Sequence, residues 1–129
     1  MTSQQLRART KAFAVRVIKL VDALPRSLAG QVVGRQLLRS ATSVGANYRA
    51  ACRSQSRPEF AAKLSIVVEE ADEALYWLEL TEETGLLKAE LLTKIIKEAN
   101  ELVAIMLASR KTAKRPDRSV NRKSAIENR

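Results

Sequence analysis

The sequence predicts an all-α fold, an antiparallel up-and-down four-helix bundle formed by residues 1–109. Leu, Ala, Glu, Lys and Arg dominate the composition, whereas four Gly and three Pro are few for a turn-rich chain. Apolar residues recur at three- and four-residue spacings over four long segments. The breaks between these segments are short, which favours antiparallel neighbours.

The first helix is predicted over residues 3–24. Pro25 ends it, because the residue before a proline is displaced from the helical conformation. A basic amphipathic helix can lie on a membrane surface, but a bundle helix with a solvated basic side is the favoured interpretation. Its apolar face consists of Leu6, Phe13, Val17, Leu20, Val21 and Leu24.

The second helix is predicted over residues 30–52. The sequence of the connection, residues 25–30, is compatible with either a kink or a tight turn. Gly45 inside this helix costs about 1 kcal/mol relative to Ala, which indicates a packing reason for it. The predicted core face is Val33, Leu37, Ser40, Ala41, Val44, Tyr48 and Ala51. Opposite that face, an arc of about 80° and a length of about 27 Å contain a basic stripe, namely Arg35, Arg39, Arg49 and Arg53.

The third helix is predicted over residues 58–84, with Ser56 as its N-cap and Gly85 as the residue that ends it. Its core face is Phe60, Leu64, Val67, Ala71, Ala74, Leu75 and Leu78. Large apolar residues also lie opposite that face, among carboxylates, and such a patch usually marks a contact surface. We therefore predict self-association through Ile66, Tyr76, Trp77 and Leu80.

The fourth helix is predicted over residues 88–109, with a solvated outer face of Glu and Lys pairs spaced four residues apart. Residues 110–129 are polar and basic, with too little apolar surface to fold alone, and are predicted to be a disordered tail. The tail cations that we consider for nucleic-acid binding are Arg110, Lys111, Lys114 and Arg115.

Charge is distributed unevenly along the 129 residues, whose net charge is +9. Residues 1–57 hold 11 Lys or Arg and one acidic residue, whereas residues 58–109 hold 4 Lys and 11 acidic residues. Residues 110–129 hold 8 basic and 2 acidic residues. This division indicates an anionic partner, neutralisation inside an oligomer, or both.

Several classes of enzyme and site are excluded by composition. Without His, the Ser-His-Asp, Cys-His and Glu-x-x-His arrangements are impossible, and the single Cys52 cannot form a Cys-rich zinc site. The acidic run at residues 69–73 is interpreted as solvated or interface-pairing rather than metal-binding, and Cys52 as a packed residue rather than a reactive thiol. We expect no enzymatic activity, no cofactor and no metal.

A lone cysteine suits a reducing compartment, and no apolar run approaches the roughly 18 residues of a membrane span. The first residues lack the apolar stretch of a secretory signal. We expect a cytoplasmic protein with no membrane partner.

The basic stripe and tail predict binding to the phosphates of RNA or DNA without sequence specificity. Aromatic residues are only 4% of the chain, so a platform for stacking single-stranded bases is not expected. Two alternatives stay open. The acidic side of the third helix could neutralise the stripe across a subunit boundary, or the same surfaces could bind another protein, as in a scaffold.

The stretch from Gln36 to Asn47, with Arg39-Ser40-Ala41 and Ser43-Val44-Gly45-Ala46-Asn47 inside it, closely resembles a motif of the bacterial 23S rRNA-intervening sequence proteins. Residues 57–60, 76–80 and 84–87 look like the same family, and the resemblance covers about residues 5–108. It implies a four-helix bundle that assembles as a ring-like homopentamer without established enzymatic activity. Members are often encoded within insertions in rRNA genes, which makes ribosomal RNA a possible partner.

The accessory proteins of diversity-generating retroelements look similar, and they associate with a reverse transcriptase and bind nucleic acid. This resemblance implies a reverse transcriptase as an alternative partner. The chain departs from the common family pattern at Arg49, Ala50 and Ala51, where much of the family has Ala-Glu-Gly. The second helix is therefore more basic than the common pattern.

Overall fold

The structure, a computed structural model of the chain, describes residues 1–116 and contains no strand within them. α2 packs against α1 on one side and α3 on the other, while α4 packs against α3 and more sparsely against α1. The helices thus enclose one core, and the predicted four-helix bundle is confirmed. The four helices are α1 (Ser3–Val21), α2 (Leu28–Cys52), α3 (Arg57–Glu83) and α4 (Ala89–Lys114).

Local sequence signals set the starts of α1, α2 and α3 and the end of α3. The hydroxyls of Thr2, Ser27 and Ser56 cap α1, α2 and α3, because each accepts a hydrogen bond from a backbone N–H of the first turn. Pro58 lies in the first turn of α3, where its missing N–H leaves no helical bond unmade. Gly85 follows α3 with a φ of 69°, a conformation that favours glycine. The predicted roles of Ser56 and Gly85 are confirmed.

The connection between α1 and α2 is a tight turn rather than a kink. α1 ends at Val21, three residues before the predicted end, and α2 begins at Leu28. The turn brings Pro25 against the first turn of α2, where a Cβ on Gly30 would lie only 2.0 Å from the Pro25 carbonyl oxygen. Gly30 is therefore required for this close approach.

α4 is longer than predicted, because it continues to Lys114 instead of ending near residue 109. Two contacts hold its last turn: the Arg57 Nη2–H donates to the Thr112 carbonyl oxygen at 2.9 Å, and Ala113 packs against the core. Disorder was thus the wrong prediction for residues 110–114. The remainder of the predicted tail, from residue 117, lies outside the described residues.

The core is built from the predicted faces of the helices. All seven residues of the predicted α2 face are buried, as are the predicted α3 residues except Phe60, which is partly buried. Buried hydroxyls bond to helix carbonyls: Ser40 donates to Gln36 at 2.8 Å and Thr81 to Trp77 at 2.7 Å. An ion pair between Arg9 and Glu98, at 2.6 Å, ties α1 to α4.

The predicted packing reason for Gly45 is not found. A Cβ on Gly45 would lie 3.5 Å from Thr10, an ordinary contact distance, so packing within the chain does not require glycine there. The tighter approach is at Gly34, whose Cβ would lie 3.4 Å from Val21 Cγ1 of α1 and 3.2 Å from Leu24 Cδ1 of the connection. Within residues 1–116, no helix has an apolar segment long enough to cross a membrane.

Candidate nucleic-acid interface

A surface groove of about 430 Å³ lies between α1 and α2. Small residues line much of it, namely Ala8, Ala14, Gly45 and Ala46, together with Thr42. Four cationic side chains complete the lining, and we call them the groove cations: Arg7, Lys11, Arg49 and Arg53. Among the described residues, no carboxylate lines this groove.

Helix periodicity places the groove cations as two pairs. Arg7 and Lys11 are one turn apart on α1, and Arg49 and Arg53 are one turn apart on α2. All four residues are exposed. The packing of Thr10 beside Gly45 brings the two pairs to the same groove. Four like charges around one open groove create a positive potential that attracts a polyanion.

Arg39 of the predicted basic stripe has different surroundings. Its Nη1–H donates to Glu70 Oε2 at 3.0 Å, its Nη2–H donates to Glu73, and its Nε–H donates to Gln36 Oε1 at 3.3 Å. The hydrogen bond from Arg39 lowers the pKa of Glu73 below its ordinary value. The acidic side of α3 thus compensates this arginine within the chain, whereas the sequence had suggested compensation across a subunit boundary.

Arg35 lies toward the other end of the α1–α2 surface. With Arg26, Asp22 and Leu38 it lines a separate depression of about 350 Å³. The predicted stripe is therefore not one continuous track. Arg49 and Arg53 face the groove, Arg39 faces α3, and Arg35 faces the connection between α1 and α2.

The end of α4 adds further cations at one end of the bundle. Lys114 and Arg115 line a groove of about 610 Å³ together with Arg57 at the start of α3. Arg110 is partly buried and Lys111 is exposed. Because residues 53–56 alone separate α2 from α3, the groove cations of α2 and this second basic groove lie at the same end of the molecule.

Sequence reasoning missed Arg7 and Lys11. Their four-residue spacing and the basic character of residues 1–57 were visible, but a single helix cannot show which neighbour it packs against. The contact between Thr10 and Gly45 supplies that register. Small residues at positions 42–46 of α2 were the available signal, since they allow a neighbouring helix to approach closely.

The four candidate interface residues are exposed to different degrees. The side chains of Ile66 and Tyr76 are 44% and 56% exposed, whereas Trp77 and Leu80 are partly buried. Trp77 packs against the core, and its Nε1–H donates to Glu73 Oε1 at 3.4 Å. The large apolar side chains that α3 exposes are thus chiefly Ile66 and Tyr76.

Two other candidates for chemistry are the thiol of Cys52 and the clustered acidic side chains. Cys52 is partly buried at the end of α2, next to Tyr48, whose pKa is raised to about 12 chiefly by burial. In the part of the chain that the structure describes, no three His, Cys, Asp or Glu side chains are placed to hold a metal ion.

Comparisons with known proteins agree with this architecture. The chain matches the 23S rRNA-intervening sequence protein family over residues 3–108. It is also similar to the crystal structure of a Bacteroides thetaiotaomicron protein, described as having unknown function and as coming from the S23 ribosomal protein family. The TM-score is 0.78 at 35% identity, over 86% of this chain and 99% of that chain. A search of the curated proteins found no match. Because the family match spans almost the whole bundle, the chain belongs to the 23S rRNA-intervening sequence protein family.

Proposed function

We propose that the protein is a non-enzymatic, oligomeric bundle that binds RNA or DNA through backbone phosphates, without sequence specificity. The observation that carries this proposal is the α1–α2 groove, in which Arg7, Lys11, Arg49 and Arg53 surround small residues with no lining carboxylate among the described residues. Lys and Arg that replace condensed counterions provide most of the affinity in such complexes.

The composition of the groove also supports phosphate contacts over base contacts. Its lining contains no aromatic side chain among the described residues, so bases have no surface on which to stack. Arginine and lysine contacts to phosphates position a nucleic acid but carry no sequence information. The cations at the end of α4, Lys111, Lys114 and Arg115, would add affinity from the same end of the bundle.

For the assembly we propose antiparallel neighbouring helices and a homopentameric ring in the cytoplasm. Contacts between α1 and α2 support the antiparallel order. The earlier residue of α2, Gly34, lies beside the later residue of α1, Val21, whereas Gly45 lies beside Thr10. The contact of Arg57 at the start of α3 with Thr112 at the end of α4 supports it as well. The exposed apolar side chains of α3 support self-association.

A second candidate function is that of an accessory protein whose surfaces bind another protein, such as a reverse transcriptase. The favouring observation is that Ile66 and Tyr76 are exposed among carboxylates, as in many protein interfaces. A pull-down that survives nuclease treatment and depends on Ile66 and Tyr76 as well as on Arg49 and Arg53 would favour this function.

The proposal is tested by measuring affinity for a fragment of 23S rRNA, an unrelated RNA and a DNA duplex at several salt concentrations. The family name makes the ribosomal fragment the natural first probe. We expect similar affinities for all three, each falling steeply as salt rises. Absence of binding at low salt, or a dissociation constant that does not change with salt concentration, would contradict the proposal.

A further inference from the structure

A second unpartnered surface lies on the outer side of α1 and α2. Three aliphatic side chains there are between 37% and 47% exposed, and we call them the α1–α2 apolar patch: Val15, Ile18 and Leu38. At 100° per residue, Leu38 lies about 60° from the direction of Arg35 on α2, on the side of Arg49 and of α1. By the same geometry, Val15 and Ile18 lie within about 40° of the direction of Lys11 on α1. The patch therefore continues the face that bears the groove cations.

The outer side of α3 has the opposite charge and a similar apolar content. Residues 64–83 contain seven carboxylates and no Lys or Arg. The α3 acidic face is defined here by Ile66, Glu69, Asp72, Tyr76, Leu80 and Glu83, which lie on one side of the helix. Ile66 and Tyr76 project from this face with large exposed apolar surfaces.

The charges around the α1–α2 apolar patch complement that face. Arg35 and Arg26 line the depression next to Leu38, and Lys11 borders the patch on α1. The acidic group facing this region is Asp22, which lines the same depression, so positive charge predominates. Opposite charges across an interface favour one partner and orientation, whereas like charges oppose association.

We infer that the α3 acidic face of one copy docks on the α1–α2 apolar patch of a second copy. This inference rests on the proposed self-association and names the surface that receives α3. A symmetric contact between two α3 faces would oppose the three carboxylates of one face to the same three of the other, and a contact between two patches would oppose arginines. The heterologous contact instead covers apolar side chains on both copies and pairs opposite charges.

A heterologous contact has a structural consequence, because each copy keeps one free face of each kind until the assembly closes. Repetition of the contact generates a ring or an open filament. The groove cations flank the patch without belonging to it. Each copy would thus present its groove beside a subunit boundary, where successive grooves form a repeated basic surface.

The test uses two single variants of the full chain, Tyr76→Asp on α3 and Ile18→Asp on the patch. Each variant loses one of the two faces, so each alone should have the 14.3 kDa mass of one chain by light scattering. An equimolar mixture should form a complex of two chains and no more, because one copy keeps its α3 face and the other keeps its patch.

Leu107→Asp is the matched control, since Leu107 is 41% exposed on α4 and belongs to neither face. It should keep the wild-type mass, and circular dichroism should show unchanged helix content in all three variants. Assembly of Ile18→Asp at the wild-type mass, or a mixture that remains at the mass of one chain, would overturn the inference. A wild-type protein of 14.3 kDa would instead remove the self-association on which it rests.

Discussion

The arginines on the outer side of α2 differ in whether a carboxylate pairs with them. Among the residues that the structure describes, Arg39 has two carboxylate partners, Glu70 and Glu73, while Arg49 and Arg53 have none. An exposed cation without a partner keeps its attraction for an external anion, whereas a paired cation must first give up its carboxylate. Position along the helix, and not residue type, therefore separates the candidate nucleic-acid contacts from a structural ion pair.

The Arg39 pairs make a prediction about pH. Because hydrogen bonding to Arg39 holds the pKa of Glu73 below its ordinary 4.5, this pair stabilises the fold at pH values above 4.5 and the contribution is lost as pH falls through the folded pKa. Replacing Arg39 by Met should lower the urea midpoint slightly at neutral pH. The difference from wild type should shrink as the pH falls below 4.5 through the folded pKa of Glu73. A difference that is constant across this range would show that the pairs contribute nothing.

Residue periodicity was sufficient to identify the basic stripe and the buried side of α2, because both depend on the geometry of one helix. It could not assign a partner to each arginine. Arg39 and Arg49 are separated by about 80° around the helix, and this angle directs one to α3 and the other to α1. That assignment requires the arrangement of three helices, which no local pattern contains.

At the level of the helix, α2 contains glycines with opposite roles. A Cβ at Gly30 meets the Pro25 carbonyl at 2.0 Å, while a Cβ at Gly45 meets Thr10 at an ordinary 3.5 Å. Gly45→Ala should raise the free energy of unfolding by up to about 1 kcal/mol, because alanine is the better helix former. Gly30→Ala should lower it by about 1–3 kcal/mol, since backbone atoms must move. Urea denaturation of both variants checks this; destabilisation by Gly45→Ala would contradict the geometry.

The extension of α4 depends on a contact far away in sequence. The Arg57 guanidinium bonds to the Thr112 carbonyl at 2.9 Å, so Arg57→Ala should loosen the last turn without unfolding the bundle. Amide hydrogen exchange in residues 110–114 should accelerate about fivefold, equivalent to a net hydrogen-bond contribution of about 1 kcal/mol. Exchange in α2 provides the control and should not change. Unaltered exchange at the end of α4 would mean that Arg57 does not hold it.

Both ends of α3 were predicted from residues that mark them in the local sequence. Ser56 and Gly85 act through their own hydroxyl and backbone conformation, so their effect is visible in the local sequence. The ends of α1 and α4 are set instead by Pro25 packed on Gly30 and by the Arg57 contact. These contacts form only when helices pack, which explains why both ends differed from prediction.

At the scale of the whole molecule, charge is segregated between surfaces as well as along the chain. The α1–α2 surface and the end of α4 are basic, while the outer side of α3 is acidic. The sequence showed the segregation, but the groove exists only because small residues of α1 and α2 face each other. In the proposed function, the basic surface binds an external polyanion while the acidic one pairs with a second copy.

The most direct test of the account compares binding of a DNA duplex to wild type, to a variant with the groove cations replaced by Gln, and to Arg39→Gln. Fluorescence anisotropy between about 50 and 200 mM salt gives the slope of log K against log salt for each protein. We predict weaker binding by the groove variant and a slope smaller in magnitude by about 3–4, at about 0.9 for each phosphate that the variant no longer neutralises. Arg39→Gln should resemble wild type. A groove variant with wild-type affinity and slope would contradict the assignment of this groove to nucleic-acid binding.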